Sequence, residues 1–201
     1  MMVLRMSNAF HVITGGTHAG KTTLVEFLES LGVHVIREAA IDIITALVND
    51  IGLDAFKAWR QENALELQIS IAKLQANREL QAINNGRGDI ICDRGVIDAV
   101  AYCRLTGVDP SVELLRLAEE SAERYETAFL LETLPNFDPR ESIGRACTQD
   151  DSFRAADIIE NEYARFGVKV KRIGAIDLKF RADALLAHIK PHKKISFPKA
   201  V

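Results

Sequence analysis

A glycine-rich stretch followed by a lysine and two threonines is the part of the sequence best suited to chemistry. Residues 11–28 read HVITGGTHAGKTTLVEFL, with Gly15, Gly20, Lys21 and Thr22 in the spacing G-x-x-x-x-G-K-T. Glycines let the backbone curl so that successive N–H groups face an anion, and no Cβ blocks its approach. A helix that begins at the lysine adds its positive dipole end and unpaired N–H groups. The stretch therefore predicts a loop that binds the phosphates of a nucleoside triphosphate.

The side chains of this phosphate loop have separate predicted roles. Lys21 bridges the β- and γ-phosphates, and the Thr22 hydroxyl reaches a Mg²⁺ ion, so ATP and Mg²⁺ are the expected cofactors. His18 is expected to contribute backbone rather than its ring. A glycine turn without a ligand is disfavoured because a strand-like run precedes the loop and a helical one follows it. The predicted nucleotide-binding residues are Gly15, Gly16, Thr17, His18, Ala19, Gly20, Lys21, Thr22 and Thr23.

Asp93 and Arg94 form a second candidate group, directly after the apolar residues 90–92. A carboxylate at the end of a buried strand beside the phosphate loop is expected to complete a Mg²⁺ site with Thr22, directly or through water. The alternative is an Asp that caps the next helix. Arg94 would lie at the carboxyl ends of the strands and could hold an anionic or hydroxylated acceptor. Its alternative role is a structural salt bridge.

The elements that must position these residues are short buried strands separated by helices. Continuous apolar runs predict strands covered on both faces, at 10–14, 33–36, 90–92, 128–131 and 168–173. Helices are predicted at 21–31, 38–48, 54–83, 111–124, 152–166 and 181–190. This alternation implies right-handed crossovers and a mostly parallel sheet between two helical layers, a three-layer α/β fold.

The longest predicted helix carries two patterns. An apolar face is predicted from side chains that step by three or four residues: Leu65, Ile69, Ala72, Ala76, Leu80 and Ile83. Gln61, Gln68 and Gln75 recur every seven residues and predict a polar outer face. Phe56 and Trp59 are expected to pack in the core, with stacking on an acceptor ring as the alternative.

Residues 135–150 are rich in charges, proline and glycine, and predict a lid over the site. Arg140 and Arg145 could close over the transferring phosphoryl group, whose transition state spreads charge over its equatorial oxygens. The alternative is that both are solvated loop arginines. Thr148 and Asp151 have the spacing of a capping box for the following helix.

Length and composition limit the class of protein. The 201 residues suit one domain, 1–201, ending in a basic segment 191–201 that is assigned no function. The net charge of −3 argues against a nucleic-acid partner. No apolar run approaches the roughly 20 residues of a membrane span, and no secretory signal is evident at the start. The three cysteines lack paired short spacings. A cytoplasmic location is expected.

Three segments together resemble a known group of enzymes: the loop GGTHAGKTTL, VIREAA after the second strand, and CDRGVIDAVAYC at the third. They are similar to P-loop kinases, including thymidylate-kinase-like enzymes with an Asp-Arg pair in this place. The chain most resembles the NadR-like branch of small predicted ATPases, named for its ribosylnicotinamide kinase domain. The resemblance implies a five-stranded sheet of order 2-3-1-4-5 with a mobile lid before the last strand. It also favours Arg145 as the lid residue.

The same resemblance implies that Glu38, in VIREAA, holds or deprotonates the acceptor hydroxyl. A carboxylate there can orient a nucleophile in line with the γ-phosphate. The alternative is a first-turn Glu favoured by the helix dipole. In related nucleoside kinases a helix glutamine reads the base, which Gln68 could do here.

The sequence leaves three functions open. The leading one is a kinase that phosphorylates a nucleoside, nucleotide or comparable small molecule, with Glu38 and Arg94 at the acceptor. The second is a nucleotide-dependent regulatory module that hydrolyses ATP or GTP slowly and acts on a protein or lipid partner. A solitary ATPase is less attractive, because hydrolysis needs no shaped acceptor pocket. No Asn-Lys-x-Asp segment follows a late strand, which disfavours a GTPase switch.

Overall fold

A computed structural model of the protein describes residues 9–85, 88–135 and 148–189. Its strands are β1 (Phe10–Thr14), β2 (Val35–Ile36), β3 (Ile90–Asp93), β4 (Tyr125–Leu131) and β5 (Lys169–Ile173). Its helices are α1 (Lys21–Ser30), α2 (Ala39–Ile51), α3 (Leu53–Glu62), α4 (Ala64–Asn85), α5 (Val96–Leu105), α6 (Val112–Ala122), α7 (Gln149–Arg165) and α8 (Leu178–Leu186). Across these three ranges, none of the helices has the length and apolarity of a membrane span.

The five strands form one parallel sheet in the order β2-β3-β1-β4-β5. Parallel neighbours require crossover connections, and helices supply them here. The predicted α/β class and strand order are therefore confirmed. β1 is central, with Ile13 opposite Asp93 of β3 on one side and Phe129 of β4 on the other. This register brings Asp93 level with the end of β1, where the phosphate loop starts.

Successive residues of β1 point to opposite sides of the sheet, and each side has its own core. Phe10 and Val12 belong to a cluster with residues of α4, α5, α6 and α7. Ile13 belongs to a second cluster with residues of α1 and α8. All of β1 is buried, including the polar residues His11 and Thr14, because helices cover both faces of the sheet.

The segment 54–83, for which a single helix is predicted, is divided between two helices, α3 and α4. α3 ends at Glu62 and α4 begins at Ala64, and Asn63 between them has φ −117° and ψ 32°. The Asn63 side chain donates to the Trp59 carbonyl at 2.8 Å. An asparagine that bonds the nearby backbone in this way competes with continuation of the helix. The prediction of a single helix is wrong for this reason.

The buried face of α4 also differs from the prediction. Its periodicity places Leu80 and Ile83 in the interior, but they are 52% and 42% exposed. Glu79 occupies the interior instead, because its carboxylate accepts hydrogen bonds from Arg124 and Tyr125. A pattern of hydrophobicity cannot detect a buried charged group whose partners lie elsewhere in the chain.

The predicted lid and basic tail lie largely or wholly outside the described residues. Arg140 and Arg145 are among the residues 136–147, which the structure does not describe. At the start of α7, Thr148 Oγ1 accepts from Asp151 N at 3.1 Å, and Asp151 Oδ2 accepts from Thr148 N at 2.9 Å. The predicted capping box is confirmed.

Candidate functional site

The phosphate loop leaves β1, curls and enters α1. The backbone angle φ is positive at Gly15 (+137°), His18 (+55°) and Gly20 (+73°). Glycine adopts such angles readily, whereas a histidine does so uncommonly. Gly20 is the N-cap of α1, so the helix begins at Lys21. The local geometry is that of a strand, a tight loop and a helix N-terminus in immediate succession.

Contact with the rest of the protein also explains two of the loop glycines. A Cβ on Gly15 would lie 2.5 Å from the carbonyl oxygen of Leu131 at the end of β4. A Cβ on Gly16 would lie 2.3 Å from the carbonyl oxygen of Ser152 in the first turn of α7. The sequence argument needs glycine for the approach of a phosphate. The structure adds that the loop is packed between two backbone segments of its own chain.

Ser152 joins α7 to the phosphate loop. It is fully buried, and its Oγ donates to the Thr17 carbonyl at 2.6 Å while accepting from Thr133 Oγ1 at 2.7 Å. Thr133 follows β4, so this pair of hydroxyls connects the loop to two elements at once. Sequence reasoning missed Ser152, because a single serine in a helical stretch carries no distinguishing signal.

Arg181 of α8 also holds the loop. It is 2% exposed, and its guanidinium donates to the carbonyl oxygens of Ala19 at 2.6 Å, Gly174 at 2.9 Å and Glu132 at 3.2 Å. Burial lowers the pKa of Arg181, and the charge of Glu132 opposes that effect. One side chain therefore fixes the loop relative to the ends of β4 and β5. The sequence carries no motif that identifies it.

Lys21 lies against the loop at the start of α1. Its Nζ donates to the carbonyls of Gly16 at 2.6 Å and Gly15 at 3.1 Å. Burial, followed by the nearby charge of Arg94, lowers the pKa of Lys21 to about 7. The phosphates of a nucleotide would oppose both effects, because an adjacent negative charge favours the charged amine.

Asp93 ends β3 and is 4% exposed. Its Oδ1 is buried and has no hydrogen-bond partner in the part of the chain that the structure describes. Burial, followed by the charge of Glu38, raises the pKa of Asp93 to about 6. A divalent cation would satisfy this oxygen, and both Thr22 and Thr23 are exposed in the first turn of α1. These residues fit Mg²⁺.

The remaining Mg²⁺ ligands would have to come from the nucleotide. Among the described residues, no group of three or more His, Cys, Asp or Glu side chains could hold a metal ion. Mg²⁺ in nucleotide sites is bound through one or two protein groups together with phosphate oxygens and water. A site formed by Asp93 and Thr22 would fit that pattern.

Arg94 lies at the junction between the loop and the acceptor side. Its φ is +66°, and its backbone N–H donates to the Ile13 carbonyl at 2.9 Å. Its Nε donates to Glu38 Oε1 at 3.0 Å and its Nη1 to Asp98 Oδ1 at 2.8 Å. The guanidinium carbon is 5.2 Å from the centroid of the Tyr102 ring. The structural salt bridge considered for Arg94 is therefore present, and it lies inside the candidate site.

Asp98 is a site residue that the sequence analysis missed. It is 3% exposed. It accepts hydrogen bonds from four groups: Thr14 Oγ1 (2.6 Å), Tyr163 OH (2.7 Å), Arg94 Nη1 (2.8 Å) and Gly95 N (3.0 Å). Asp98 and Gly95 together cap α5, so the alternative that Asp93 caps this helix is wrong. An arginine and an aspartate four residues apart were the available signal.

A cavity of about 640 Å³ lies beside the loop, between α2, α3, α4 and α5. Thr17, Glu38 and Arg94 are among the residues that line it. Much of its wall is apolar, including Ile44, Ala64, Leu67, Ile71, Ala72 and Leu105. An apolar wall with a few placed polar groups is typical of small-molecule sites.

The three glutamines at seven-residue spacing all line this cavity. Gln75 is only 3% exposed and Gln68 is half-buried, so the predicted polar outer face is wrong for Gln75, whereas Gln61 is exposed as predicted. Phe56 and Trp59 stack on each other with ring centroids 6.4 Å apart, and neither lines the cavity. Core packing is confirmed for Phe56, which is 3% exposed.

The sheet order and the glycine-rich loop between β1 and α1 define a P-loop fold of the nucleoside- and nucleotide-kinase type. Residues 10–181 match a family described as an AAA domain, and the chain belongs to that family. A search of curated proteins finds no match.

Solved structures similar to this chain include two kinases. Deoxyadenosine kinase from M. mycoides, with products dCMP and a flexible dCDP bound, has a TM-score of 0.57 at 15% identity, covering 89% of this chain and 97% of its own. The same enzyme with dCTP bound has a TM-score of 0.54 at 13% identity, with the same coverage. Thymidylate kinase from Ehrlichia chaffeensis has a TM-score of 0.57 at 16% identity, covering 90% and 97%. At such identities the likeness shows the fold.

Proposed function

We propose that this protein is a phosphotransferase that moves the γ-phosphate of ATP–Mg²⁺ to a hydroxyl or phosphate of a small metabolite, such as a nucleoside or nucleotide. The observation that carries the proposal is the position of the cavity. Thr17 of the phosphate loop lines it together with Glu38 and Arg94. A molecule in the cavity would therefore meet the terminal phosphate of a nucleotide bound on the loop. The fold shared with two kinases supports the same conclusion.

On the donor side, the loop and Lys21 would hold the triphosphate. The amine of Lys21 lies against the loop carbonyls, where it can stabilise the negative charge that develops on the transferring group. Asp93 and Thr22 would hold Mg²⁺, which neutralises charge on the β- and γ-phosphates. Arg140 and Arg145, outside the described residues, remain the proposed lid arginines.

On the acceptor side, Glu38 would orient the attacking hydroxyl and accept its proton. Arg94 donates to Oε1 of Glu38, and we assign Oε2 to the acceptor hydroxyl. Glu38 is only 14% exposed and is held by an arginine that Asp98 also fixes. The hydrogen bond to Arg94 favours one orientation of the carboxylate, which would help it act as a general base.

The test is transfer of labelled γ-phosphate from ATP to a panel of nucleosides and nucleotides, with Mg²⁺ and the full chain. We expect a labelled acceptor to form faster than ATP is hydrolysed. Lys21→Ala should reduce the transfer rate by about 10²–10³-fold, and Glu38→Gln by about 10²–10⁴-fold. Glu29→Gln is the matched control, because Glu29 also pairs with an arginine, Arg37, but does not line the cavity.

Two results would contradict the proposal. One is ATP hydrolysis at a rate that no acceptor in the panel increases, which favours a plain ATPase. The other is nucleotide-dependent capture of a protein or lipid partner without labelled product, which favours a regulatory module. Equal loss of transfer in Glu29→Gln and Glu38→Gln would remove the specific role given to Glu38.

A further inference from the structure

Gln75 is a buried cavity residue whose amide has a fixed orientation. It lies on α4, is 3% exposed and lines the cavity proposed for the acceptor. Its Nε2 donates to Glu79 Oε1 at 3.2 Å. Its Oε1 is buried, and no described residue hydrogen-bonds to it.

The surroundings of Glu79 determine which way this amide points. Glu79 is 0% exposed. Its carboxylate oxygens accept from several donors within the described residues: Tyr125 OH (2.6 Å), Arg124 Nη2 (2.9 Å), Gln75 Nε2 (3.2 Å) and Cys92 Sγ (3.9 Å).

Tyr125 cannot reverse its role, because its oxygen already accepts from the Val96 N–H at 2.9 Å. Its own proton therefore goes to Glu79. Arg124 is a donor only. The Glu79 oxygens that face Gln75 are therefore hydrogen-bond acceptors, so Gln75 must present its NH₂ group to them. Its carbonyl oxygen remains for another partner.

A buried carbonyl oxygen without a donor is costly, so a ligand that supplies one gains affinity over a ligand that does not. The charge of Glu79 is already paired with Arg124, and the neighbouring wall residues Ile71 and Ala72 are apolar. A neutral N–H or O–H donor suits this position better than a cation.

We propose that Gln75 is a specificity-determining residue that accepts a hydrogen bond from a neutral donor of the acceptor molecule. An amide free to turn could recognise either a donor or an acceptor, whereas this one recognises only a donor. The inference rests on the proposed function, since it takes the cavity as the acceptor site. A ring amino group and a sugar hydroxyl offer the same chemistry.

The experiment measures binding of paired nucleosides by calorimetry, in the presence of a non-hydrolysable ATP analogue and Mg²⁺. The first arm compares adenosine with purine riboside and cytidine with 2-pyrimidinone riboside, in which hydrogen replaces the exocyclic amino group and no other donor is introduced. The second arm compares adenosine with its 2′-deoxy and 3′-deoxy forms. In at least one of the two arms, we expect the ligand that keeps the donor to bind roughly 10- to 100-fold more tightly than the ligand that lacks it.

Gln75→Met should remove that preference while Gln81→Met, on the exposed side of the same helix, keeps it. Glu79→Gln is the second variant, because a neutral partner lets the Gln75 amide turn and should weaken the preference. A merely structural role for Gln75 would lower binding of all ligands alike and leave the ratios unchanged.

Unchanged ratios in Gln75→Met, a preference for the ligands lacking the donor, or no binding by any member of the panel would overturn the inference. The proposed function fails separately. Selective binding without phosphoryl transfer would contradict the kinase assignment and leave the role of Gln75 standing. Phosphoryl transfer together with binding ratios that Gln75→Met does not change would support the kinase assignment and contradict the role of Gln75.

Discussion

Arg94 shows how single residues are held in this site. Its guanidinium lies between Glu38 and Asp98, and its backbone is held in an uncommon conformation by the hydrogen bond to Ile13. A buried arginine of this kind needs its partners, because an unpaired buried charge is strongly destabilising. Positioning of the proposed base, Glu38, therefore depends on Asp98, which reaches Arg94 from the other side.

The prediction at this scale concerns Asp98. Asp98→Asn removes one of the two carboxylates that pair with Arg94, and we expect it to lower the free energy of unfolding by about 3 kcal/mol. It should also slow phosphoryl transfer, since Arg94 and Glu38 would no longer be held in place. Urea unfolding and the transfer assay measure the two effects. Asp109→Asn is the control, because Asp109 pairs with Arg104 while 98% exposed, and equal effects of the two changes would contradict the prediction.

At the scale of elements, the phosphate loop depends on neighbours that are remote in the chain. β4 contributes the Leu131 carbonyl behind Gly15, α7 contributes Ser152 behind Gly16, and α8 contributes Arg181. The contact of Ser152 with Thr17 therefore holds the loop against the first turn of α7, and loop geometry is expected to depend on the position of this helix.

The corresponding prediction is for Gly16→Ala. Its Cβ would meet the backbone oxygen of Ser152 at 2.3 Å, so either the loop or the first turn of α7 must move. We expect a loss of about 1–3 kcal/mol in the free energy of unfolding, together with weaker binding of a fluorescent ATP analogue. Gly174→Ala is the control, because its Cβ would find ordinary contacts at 3.7 Å.

Adding Ser152→Ala to Gly16→Ala separates backbone from side-chain crowding. The nearest atom to the new methyl group is a backbone oxygen, which this second change leaves in place. Recovery of nucleotide binding in the double variant would show that the side chain was the obstacle and would contradict the account.

At the scale of the whole molecule, the central strand β1 contains a buried histidine, His11, between the two helical layers. His11 is 0% exposed and both its ring nitrogens lack hydrogen-bond partners among the described residues. Asp89 Oδ2 lies 3.5 Å from Nε2, too far for a good hydrogen bond. Burial lowers the pKa of His11 below 6.5, and the charges of Asp89 and Glu126 only partly oppose it.

This gives a prediction for the pH dependence of folding. Between the lowered pKa and 6.5, the unfolded chain binds a proton at His11 that the folded chain does not, so stability rises with pH in that window. This contribution of His11 to the stability of the fold is lost as the pH falls below about 6.5. His11→Phe removes the titrating group, and its melting temperature should fall less steeply between pH 6.5 and 5 than that of the unchanged protein. His34→Gln, at an exposed position, is the control, and parallel curves for His11→Phe and the unchanged protein would contradict the prediction.

Residues close together in the chain were sufficient for the phosphate loop and the fold class. Glycine conformation, a buried strand before the loop and a helix after it are properties of consecutive residues. Alternating strands and helices restrict a chain to few topologies, and the resemblance to P-loop kinases supplied the strand order, which the structure confirms. The position of Asp93, at the end of a buried strand, was predicted in the same way from the apolar run before it.

Only the tertiary structure identified the groups that support this loop and the cavity beside it. Asp98 meets Thr14 across 84 positions of the chain, Ser152 meets Thr17 across 135, and Arg181 meets Ala19 across 162. The burial of Gln75 was missed for the same reason, since its spacing from Gln61 and Gln68 predicts a shared face but not what that face meets. Local conformation is determined by the residues of a short segment. Which distant segments come together depends on how the whole core packs, and one sequence does not state that directly.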